Sequence, residues 1–140
     1  MTFQELEQDL FTVEEGYLLA HCISADAKMG AGIAVAFCQH FDLNSLREQA
    51  NSQPLEVGGC YRVGRVLNLV TKSKYWQKPS YATLTAALED MKNQCVQGGI
   101  DKIAMPRIGC GLDRLRWDKT RQIIQDVFEE TDIEIVVCSQ

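Results

Sequence analysis

Residues 105–113, Met-Pro-Arg-Ile-Gly-Cys-Gly-Leu-Asp, decide the fold, because they join an apolar segment to a glycine-rich loop that ends in a carboxylate. Ile103 to Met105 predict a short buried strand, and Pro106 ends it because proline has no N–H to donate to a sheet. Gly109 and Gly111 allow the backbone to curl with its amides exposed, and such loops bind phosphate through backbone N–H groups. Glycine pairs also form ordinary turns, so this motif alone leaves both interpretations open.

A second stretch with small residues lies nearer the amino terminus, at residues 29–34, Met-Gly-Ala-Gly-Ile-Ala. It opens a predicted helix, and helix amino termini favour anions. Two loops of this kind suit a diphosphate better than a monophosphate. The pair of loops therefore favours a ligand with two linked phosphates.

Segments of strand character alternate with segments of helical periodicity around these two loops. Strands are predicted at residues 3–7, 17–23, 60–63, 66–71, 102–105 and 133–138, and helices from Gly32, over 43–50, from Ser80 to Gly98 and from Trp117. The alternation predicts an α/β fold with a mixed, mostly parallel sheet and helices on both faces. Ligands of such sheets lie beyond the carboxyl ends of the strands, where both loops and Lys72 fall.

Composition and charge are those of an ordinary globular domain. The chain has 140 residues, 46% of them hydrophobic and 24% charged, so we expect residues 1–140 to form a single domain. The net charge of −5 argues against a broad basic surface that holds nucleic acid. We find no signal-peptide pattern and no apolar run of roughly 18 residues, and we expect a soluble protein of the nucleus or cytoplasm.

The six cysteines are scattered, with no Cys-x-x-Cys pair and no zinc-finger spacing to a histidine. They fall mostly within apolar periodic segments, so we expect reduced core cysteines and no structural zinc. With no cluster of metal ligands in the sequence, we expect neither a metal nor another cofactor.

Several motifs together resemble one known family. These are Asp9-Leu10-Phe11, residues 20–24 (Ala-His-Cys-Ile-Ser), residues 29–34, Thr71-Lys72, and Pro106 to Asp113. In this order, and over nearly the whole chain, they resemble the macrodomains, and within them the terminal ADP-ribose protein glycohydrolases, also called O-acetyl-ADP-ribose deacetylases. The resemblance implies a three-layer α/β/α fold that binds ADP-ribose.

The resemblance also implies roles for individual residues. Lys72 and Asp113 match the catalytic lysine and aspartate of the family. Asp9, with Leu10 beside it, would contact adenine, and Gln140 after the last strand would touch the same ring. The diphosphate and the distal ribose would lie against the two loops and the strand end before Lys72, namely Ser24, Met29, Gly30, Ala31, Gly32, Ile33, Thr71, Pro106, Arg107, Ile108, Gly109, Cys110, Gly111 and Leu112.

Two features depart from the family pattern. Gln8 stands where the family often has glycine before the first aspartate, which could alter the turn without removing the carboxylate. The asparagine-rich loop of other macrodomain hydrolases is absent between Cys22 and Met29. Their water-activating mechanism is therefore not carried over to this chain.

Three functions are compatible with the resemblance. The first is reversal of ADP-ribosylation, as a hydrolase that removes ADP-ribose from acidic side chains of proteins and as a deacetylase of O-acetyl-ADP-ribose, through a lysyl-ADP-ribose intermediate. The second is a reader that binds ADP-ribose without turnover, against which the presence of both Lys72 and Asp113 argues. The third is a phosphatase of ADP-ribose 1″-phosphate. ADP-ribosylated nucleic acid is not excluded as a substrate, and no membrane partner is expected.

Each singled-out residue also has a simpler interpretation. Lys72 could be an ordinary surface lysine, and Asp113 could cap the helix that begins near Trp117. Cys110 with His21 as base would make a nucleophile pair, although nothing in the sequence brings the two together. Arg107 could clamp phosphate or face solvent, and His40 lies on a predicted apolar helical face, where it would be structural.

Overall fold

The computed structural model describes residues 1–140 and builds them around a six-stranded sheet with helices on both faces. The strands are β1 (Thr2–Glu7), β2 (Leu18–Ser24), β3 (Cys60–Val63), β4 (Val66–Lys72), β5 (Lys102–Met105) and β6 (Glu134–Ser139). The helices are α1 (Ile33–His40), α2 (Asn44–Ser52), α3 (Tyr81–Gly98) and α4 (Trp117–Phe128), and a 3₁₀ turn spans Leu10–Thr12. The predicted α/β/α layering is confirmed.

The strands lie in the order β1-β6-β5-β2-β4-β3. Every neighbouring pair is parallel except β3 and β4, which form the predicted antiparallel hairpin. The sheet is therefore mixed and mostly parallel, as the sequence predicts. Its parallel strands place their carboxyl ends at one edge.

Two hydrophobic clusters fill the spaces above and below the sheet. One contains α3 and α4 side chains such as Leu88 and Ile124, packed on Leu67 and Ile103 of the sheet. The other contains α1 and α2 side chains packed on residues such as Val70. Because alternate residues of a strand face opposite sides, the strands are buried on both faces, as expected of a covered parallel sheet.

The prediction that His40 lies on an apolar helical face was wrong. The helix buries Ala34 and Phe37, whereas Ile33 and His40 are exposed. The helix is only eight residues long and its apolar residues are spread around it, so spacing alone did not fix its rotation. His40 is not a core residue, but its ring stacks on Phe11 with centroids 4.2 Å apart.

The neighbouring strands β2 and β5 are paired only at the beginning of β2. They pair only at Leu18 with Ile103 and at Leu19 with Ala104. After β2 the chain runs to α1, in the cluster on one face, and after β5 it runs to α4, in the cluster on the other. Such a switch point opens a crevice beyond the strand ends, and both glycine loops begin there.

None of the helices is both long enough and apolar enough to cross a bilayer. All six cysteines are free thiols.

A buried imidazole makes the stability of the fold depend on pH. His21 is fully buried, bonds through Nε2 to Asn68 Oδ1 at 2.7 Å, and stacks on Phe37. Asn68 Nδ2 donates to the Tyr61 carbonyl, which leaves Oδ1 to accept from His21. Burial lowers the pKa of His21 from 6.5 to about 4, although the bond to Asn68 opposes the shift. The imidazole is therefore neutral in the folded protein.

We expect the free energy of unfolding to fall as the pH drops from 6.5 towards 4. In this range His21 binds a proton in the unfolded chain but stays neutral in the folded chain. The loss from His21 should reach about 2 kcal/mol between about pH 7 and pH 5. Urea denaturation of the wild type and of His21→Gln, which cannot titrate, measures it. Parallel pH profiles for the two proteins would contradict the prediction.

Candidate active site

Lys72 and Asp113 meet at the carboxyl edge of the sheet. Lys72 is the last residue of β4, and its Nζ lies 2.7 Å from Asp113 Oδ1 in the loop after β5. Only 14% and 15% of the two side chains are exposed, so water screens this ion pair much less than it screens a surface pair. Asp113 does not cap α4, whose N-cap is Arg116. The two side chains thus contact each other. Lys72 is not an ordinary surface lysine, and Asp113 is not a helix cap.

The backbone of Lys72 is fixed by bonds from two directions. The amide of Ala25 donates to the Lys72 carbonyl at 2.8 Å, which ties the end of β4 to the end of β2. On the other side, Thr83 Oγ1 donates to the Thr71 carbonyl at 2.6 Å. Thr83 also completes the capping box of Ser80, so the first turn of α3 is anchored to this strand end.

The two glycine loops touch each other beside this ion pair. A Cβ on Gly32 would lie 3.3 Å from Leu112 Cδ1, so the Leu112 side chain covers the first loop closely. All three non-glycine residues with positive φ, Ala27, Met29 and Arg114, lie in or next to these loops. Such conformations cost of order 1–3 kcal/mol each and are concentrated at functional sites.

Many amides of the two loops have no acceptor within the protein. None of residues 28–32 donates a backbone hydrogen bond, and neither do Gly109, Gly111, Leu112 and Asp113. Free, successive N–H groups next to a helix amino terminus attract an anion. The loops that the sequence singles out therefore offer backbone donors to an anion.

The thiols of Cys22, beside the ion pair, and of Cys110, in the second glycine loop, are not activated. Burial raises the pKa of the Cys22 thiol from 9.0 to about 12, with a smaller contribution in the same direction from the Asp113 carboxylate. Burial also raises the pKa of Cys110, whose Sγ donates to the Ile108 carbonyl. His21 is bonded to Asn68 on the buried face, so it is not paired with Cys110 as a base.

The turn after β1 lies at the far end of this edge. Asp9 caps the turn by accepting from the Phe11 amide at 3.0 Å, and Leu10 is buried. Gln8, in the position where glycine is common, donates through its side chain to Thr12 and does not break the turn. Gln140 follows β6 and is exposed. Asp9 is close enough to β6 to help raise the pKa of Cys138, after the larger effect of burial.

Arg107 faces solvent and does not reach into the loops. Its guanidinium carbon lies 5.9 Å from the ring centroid of Trp117, and Arg121 approaches the same ring at 5.6 Å. Trp117 Nε1 in turn donates to Glu5. The arginine side chain is therefore part of a surface cluster that joins β1 to α4.

The structure adds polar residues that the sequence did not single out. The Ser24 hydroxyl donates to Asp26, whose other oxygen accepts from the Tyr75 amide at 3.2 Å. Lys78 Nζ donates to the Leu112 carbonyl at 2.6 Å, next to Asp113. The position of Asp26, just past a strand end that carries a site residue, was the available signal. Lys78 gave no signal, because its partner is a distant main-chain carbonyl.

No group of three or more histidine, cysteine, aspartate or glutamate side chains is placed to hold a metal ion.

Comparison with known proteins assigns this architecture to a family. The family model "Macro domain" matches residues 20–124. ADP-ribose glycohydrolase OARD1 of Homo sapiens is 46% identical over 132 residues, which cover 92% of this chain and 86% of the human protein. The protein of the same name from Bos taurus matches to the same extent.

Solved structures agree on the fold. The macrodomain of Mycobacterium tuberculosis DarG superposes with a TM-score of 0.91 at 19% identity, covering 99% of this chain and 98% of that one. Thermosipho africanus DarTG in complex with ADP-ribose gives a TM-score of 0.84 at 19% identity, over 98% of this chain and 41% of that one.

The loop geometry makes a prediction about Gly109. Its φ of +74° disfavours any side chain, and a Cβ there would lie 2.9 Å from Leu115 Cδ1, whereas a Cβ on Gly111 would meet nothing within 4 Å. We expect Gly109→Ala to lower the free energy of unfolding by about 1–2 kcal/mol or more. Gly111→Ala, in the same loop, is the control and should leave it nearly unchanged. Equal urea midpoints for the two variants would show that the loop does not need this conformation.

Proposed function

The chain belongs to the macro domain family, and from that premise we propose that it is an ADP-ribose glycohydrolase. Its substrates in this proposal are proteins that carry ADP-ribose as an ester on acidic side chains, and O-acetyl-ADP-ribose, which it deacylates. The names of the human and bovine relatives support the hydrolase activity. In the proposal residues 1–140 form one macro domain. A nuclear or cytoplasmic location would suit its six free thiols, which a reducing compartment preserves.

The contact between Lys72 and Asp113 carries the proposal. A module that only binds ADP-ribose has no need for an amine and a carboxylate 2.7 Å apart in a mostly buried site. Removing two charged groups from water costs free energy, and the attraction between them does not always offset that cost. An amine that can pass its proton to a neighbouring base, however, is suited to nucleophilic attack on carbon.

The substrate would be bound by the loops around this pair. Amides of residues 28–32 and of the Gly109 to Asp113 stretch would hold the diphosphate, which matches their free N–H groups. Ser24, Thr71 and Ile108 line the strand ends beside them. In the proposal Asp9, Leu10 and Gln140 form the adenine end. The distal ribose would then lie between the loops and the ion pair.

The first chemical step forms a bond between the enzyme and the sugar. Lys72 gives a proton to Asp113 across their contact, and the neutral Nζ attacks C1″ of the distal ribose. The bond from C1″ to the acyl oxygen breaks, and its electron pair leaves on the released carboxylate. Because a carboxylate is already a stable leaving group, this step needs little acid assistance. The sugar ring then opens as a nitrogen proton passes to its ring oxygen, leaving an iminium on Lys72.

The second step releases ADP-ribose. Asp113, which has returned its proton to solvent, takes a proton from water as the water adds to C1″. That proton passes to Nζ, and Asp113 then takes the proton of the new hydroxyl group as the aldehyde forms and the bond between Nζ and C1″ breaks. Asp113 passes this second proton to the departing amine, which becomes an ammonium. The open sugar leaves as an aldehyde and closes again, so Lys72 and Asp113 end in their starting states.

We expect Lys72→Ala to abolish release of ADP-ribose from a glutamate-linked substrate while calorimetry shows ADP-ribose affinity within about tenfold of wild type. The reason is that the phosphates and the adenine do not depend on Nζ. Gly32→Glu is the contrasting variant, since its side chain occupies the space beside Leu112 and adds a negative charge, and should lose binding as well as turnover. Turnover by Lys72→Ala would exclude the covalent route. A wild-type protein that binds ADP-ribose but releases none from the ester, or prefers ADP-ribose 1″-phosphate, would favour the reader or the phosphatase.

We expect Asp113→Asn to slow turnover and to accumulate the adduct on Lys72. Nζ can still lose its proton to solvent and attack, whereas the later addition of water to the iminium lacks its base. Borohydride reduction should fix the iminium, and mass spectrometry should find an added ADP-ribosyl mass on the peptide that contains Lys72. Lys72→Ala treated in the same way is the negative control. A label on any other peptide would reject Lys72 as the nucleophile.

A further inference from the structure

Positive charge in this acidic protein is concentrated around the candidate active site. Residues 72–78 contain three lysines and no carboxylate, and residues 107–121 contain four arginines and a lysine against Asp113 and Asp118. These two short segments thus hold eight of the 14 basic residues and two of the 19 acidic ones. The net charge of −5 therefore does not reflect the local excess of positive charge in these two segments.

Most of these cations lack a carboxylate partner. Lys74, Lys78, Arg114 and Lys119 are exposed, and the salt bridges of the protein involve none of them. Lys78 donates to a carbonyl, and Lys119 lies over the ring of Tyr81 with its Nζ 5.5 Å from the centroid. Their charge therefore remains available to an anion.

Two consecutive aromatic rings stand in water within the same surface. Tyr75 is 60% exposed and Trp76 is 67% exposed. The turn that carries them is fixed, because the Tyr75 amide donates to Asp26 and the Lys74 amide donates to Gln77 Oε1 at 2.9 Å. An ordered turn thus presents both rings beside the cations. Single exposed apolar residues are common, but an adjacent aromatic pair beside a site is not explained by packing.

The aromatic turn with Tyr75 and Trp76 and the cations Lys74, Lys78 and Arg114 form a continuous surface, which we call the rim. The turn begins two residues after Lys72, and Lys78 joins it to the loop of Asp113 through the Leu112 carbonyl. The Arg116 amide donates to the hydroxyl of Tyr81, which connects that loop to the start of α3. The rim therefore borders the mouth of the crevice that holds the ion pair.

We infer that the rim, formed by Lys74, Tyr75, Trp76, Lys78 and Arg114, binds single-stranded nucleic acid. Unpaired bases stack on the two rings, and the phosphates of the strand lie near the cations. Stacked aromatic side chains within a basic surface are how proteins hold single strands without reading sequence. A duplex would not offer its base faces to the rings. An acidic peptide would use the cations but would leave both rings in water.

This inference goes beyond the proposed function, because it concerns a surface outside the ADP-ribose site and not the bond that is cleaved. It is compatible with the overall charge, since the rim is narrow and the rest of the surface repels a polyanion. Binding should accordingly be salt-dependent and limited to a few nucleotides.

Fluorescence anisotropy with a labelled oligothymidine of about 12 nucleotides tests the rim, and Trp76 emission should be quenched on binding. We expect Trp76→Ala and Tyr75→Ala each to weaken binding by about tenfold, with normal circular dichroism, because both side chains are exposed. Lys74→Ala should lower the slope of log affinity against log salt by about 0.7. Arg62→Ala removes an exposed cation at the opposite edge of the sheet and should leave oligonucleotide binding nearly unchanged.

Calorimetry with ADP-ribose separates this inference from the proposed function. Unchanged ADP-ribose affinity in Trp76→Ala, together with lost oligonucleotide binding, supports the rim as a separate surface. Equal oligonucleotide binding by Trp76→Ala, Tyr75→Ala and wild type would overturn the inference, as would tighter binding of the duplex or of a polyglutamate peptide. Failure of the wild type to bind ADP-ribose would count against the proposed function, and the oligonucleotide data would still decide the rim.

Discussion

The short pairing between β2 and β5 is the constraint on which the site depends. The two strands share only two residue pairs. After β2 and after β5 the chain turns to opposite faces of the sheet. Each strand must then continue as a loop before its helix begins, and the two loops face each other across the gap. If β5 were long enough to pair with the whole of β2, hydrogen bonds between the two strands would close the crevice. The site therefore follows from topology before any side chain is chosen.

The ion pair of Lys72 and Asp113 links the two halves of this arrangement. One partner lies on a rigid strand, and the other lies on a loop that also carries Gly109 and the exposed Leu112. The loop is ordered by its own turn bonds, such as Leu115 to the Gly109 carbonyl at 2.7 Å. The Leu112 side chain lies against Gly32 of the first loop, while Lys78 holds the Leu112 carbonyl and the ion pair holds Asp113 at the strand end. Contacts to the first loop, to Lys72 and to Lys78 thus fix the end of the second loop.

The sequence predicted this fold well because its strands and helices are locally distinct. Ser80, Gly98 and Pro106 mark ends by capping chemistry and by the missing proline N–H, and the structure ends its elements there. The rotation of α1 was not predictable, since its short apolar pattern does not choose a face. The contact of Lys72 with Asp113 came only from resemblance to a family, because no local pattern relates residues 41 positions apart. Asp26, Lys78 and the rim were missed because their roles arise from loops that meet only in the folded chain.

Burial selects among the possible nucleophiles of the site. Cys22 and Cys110 would be better nucleophiles than an amine if they were ionised, yet burial raises the pKa of both thiols, and the Asp113 carboxylate raises that of Cys22 further. A nearby carboxylate favours the protonated thiol, so the Cys22 sulfur beside Asp113 stays a poor nucleophile. In the proposed mechanism the same carboxylate accepts the proton of Lys72 across their contact, after which the neutral nitrogen can attack. An amine is also the group that the proposed chemistry requires, because nitrogen can form the iminium from which water releases the sugar, whereas a thioether on the same carbon would be hydrolysed only with acid or metal assistance.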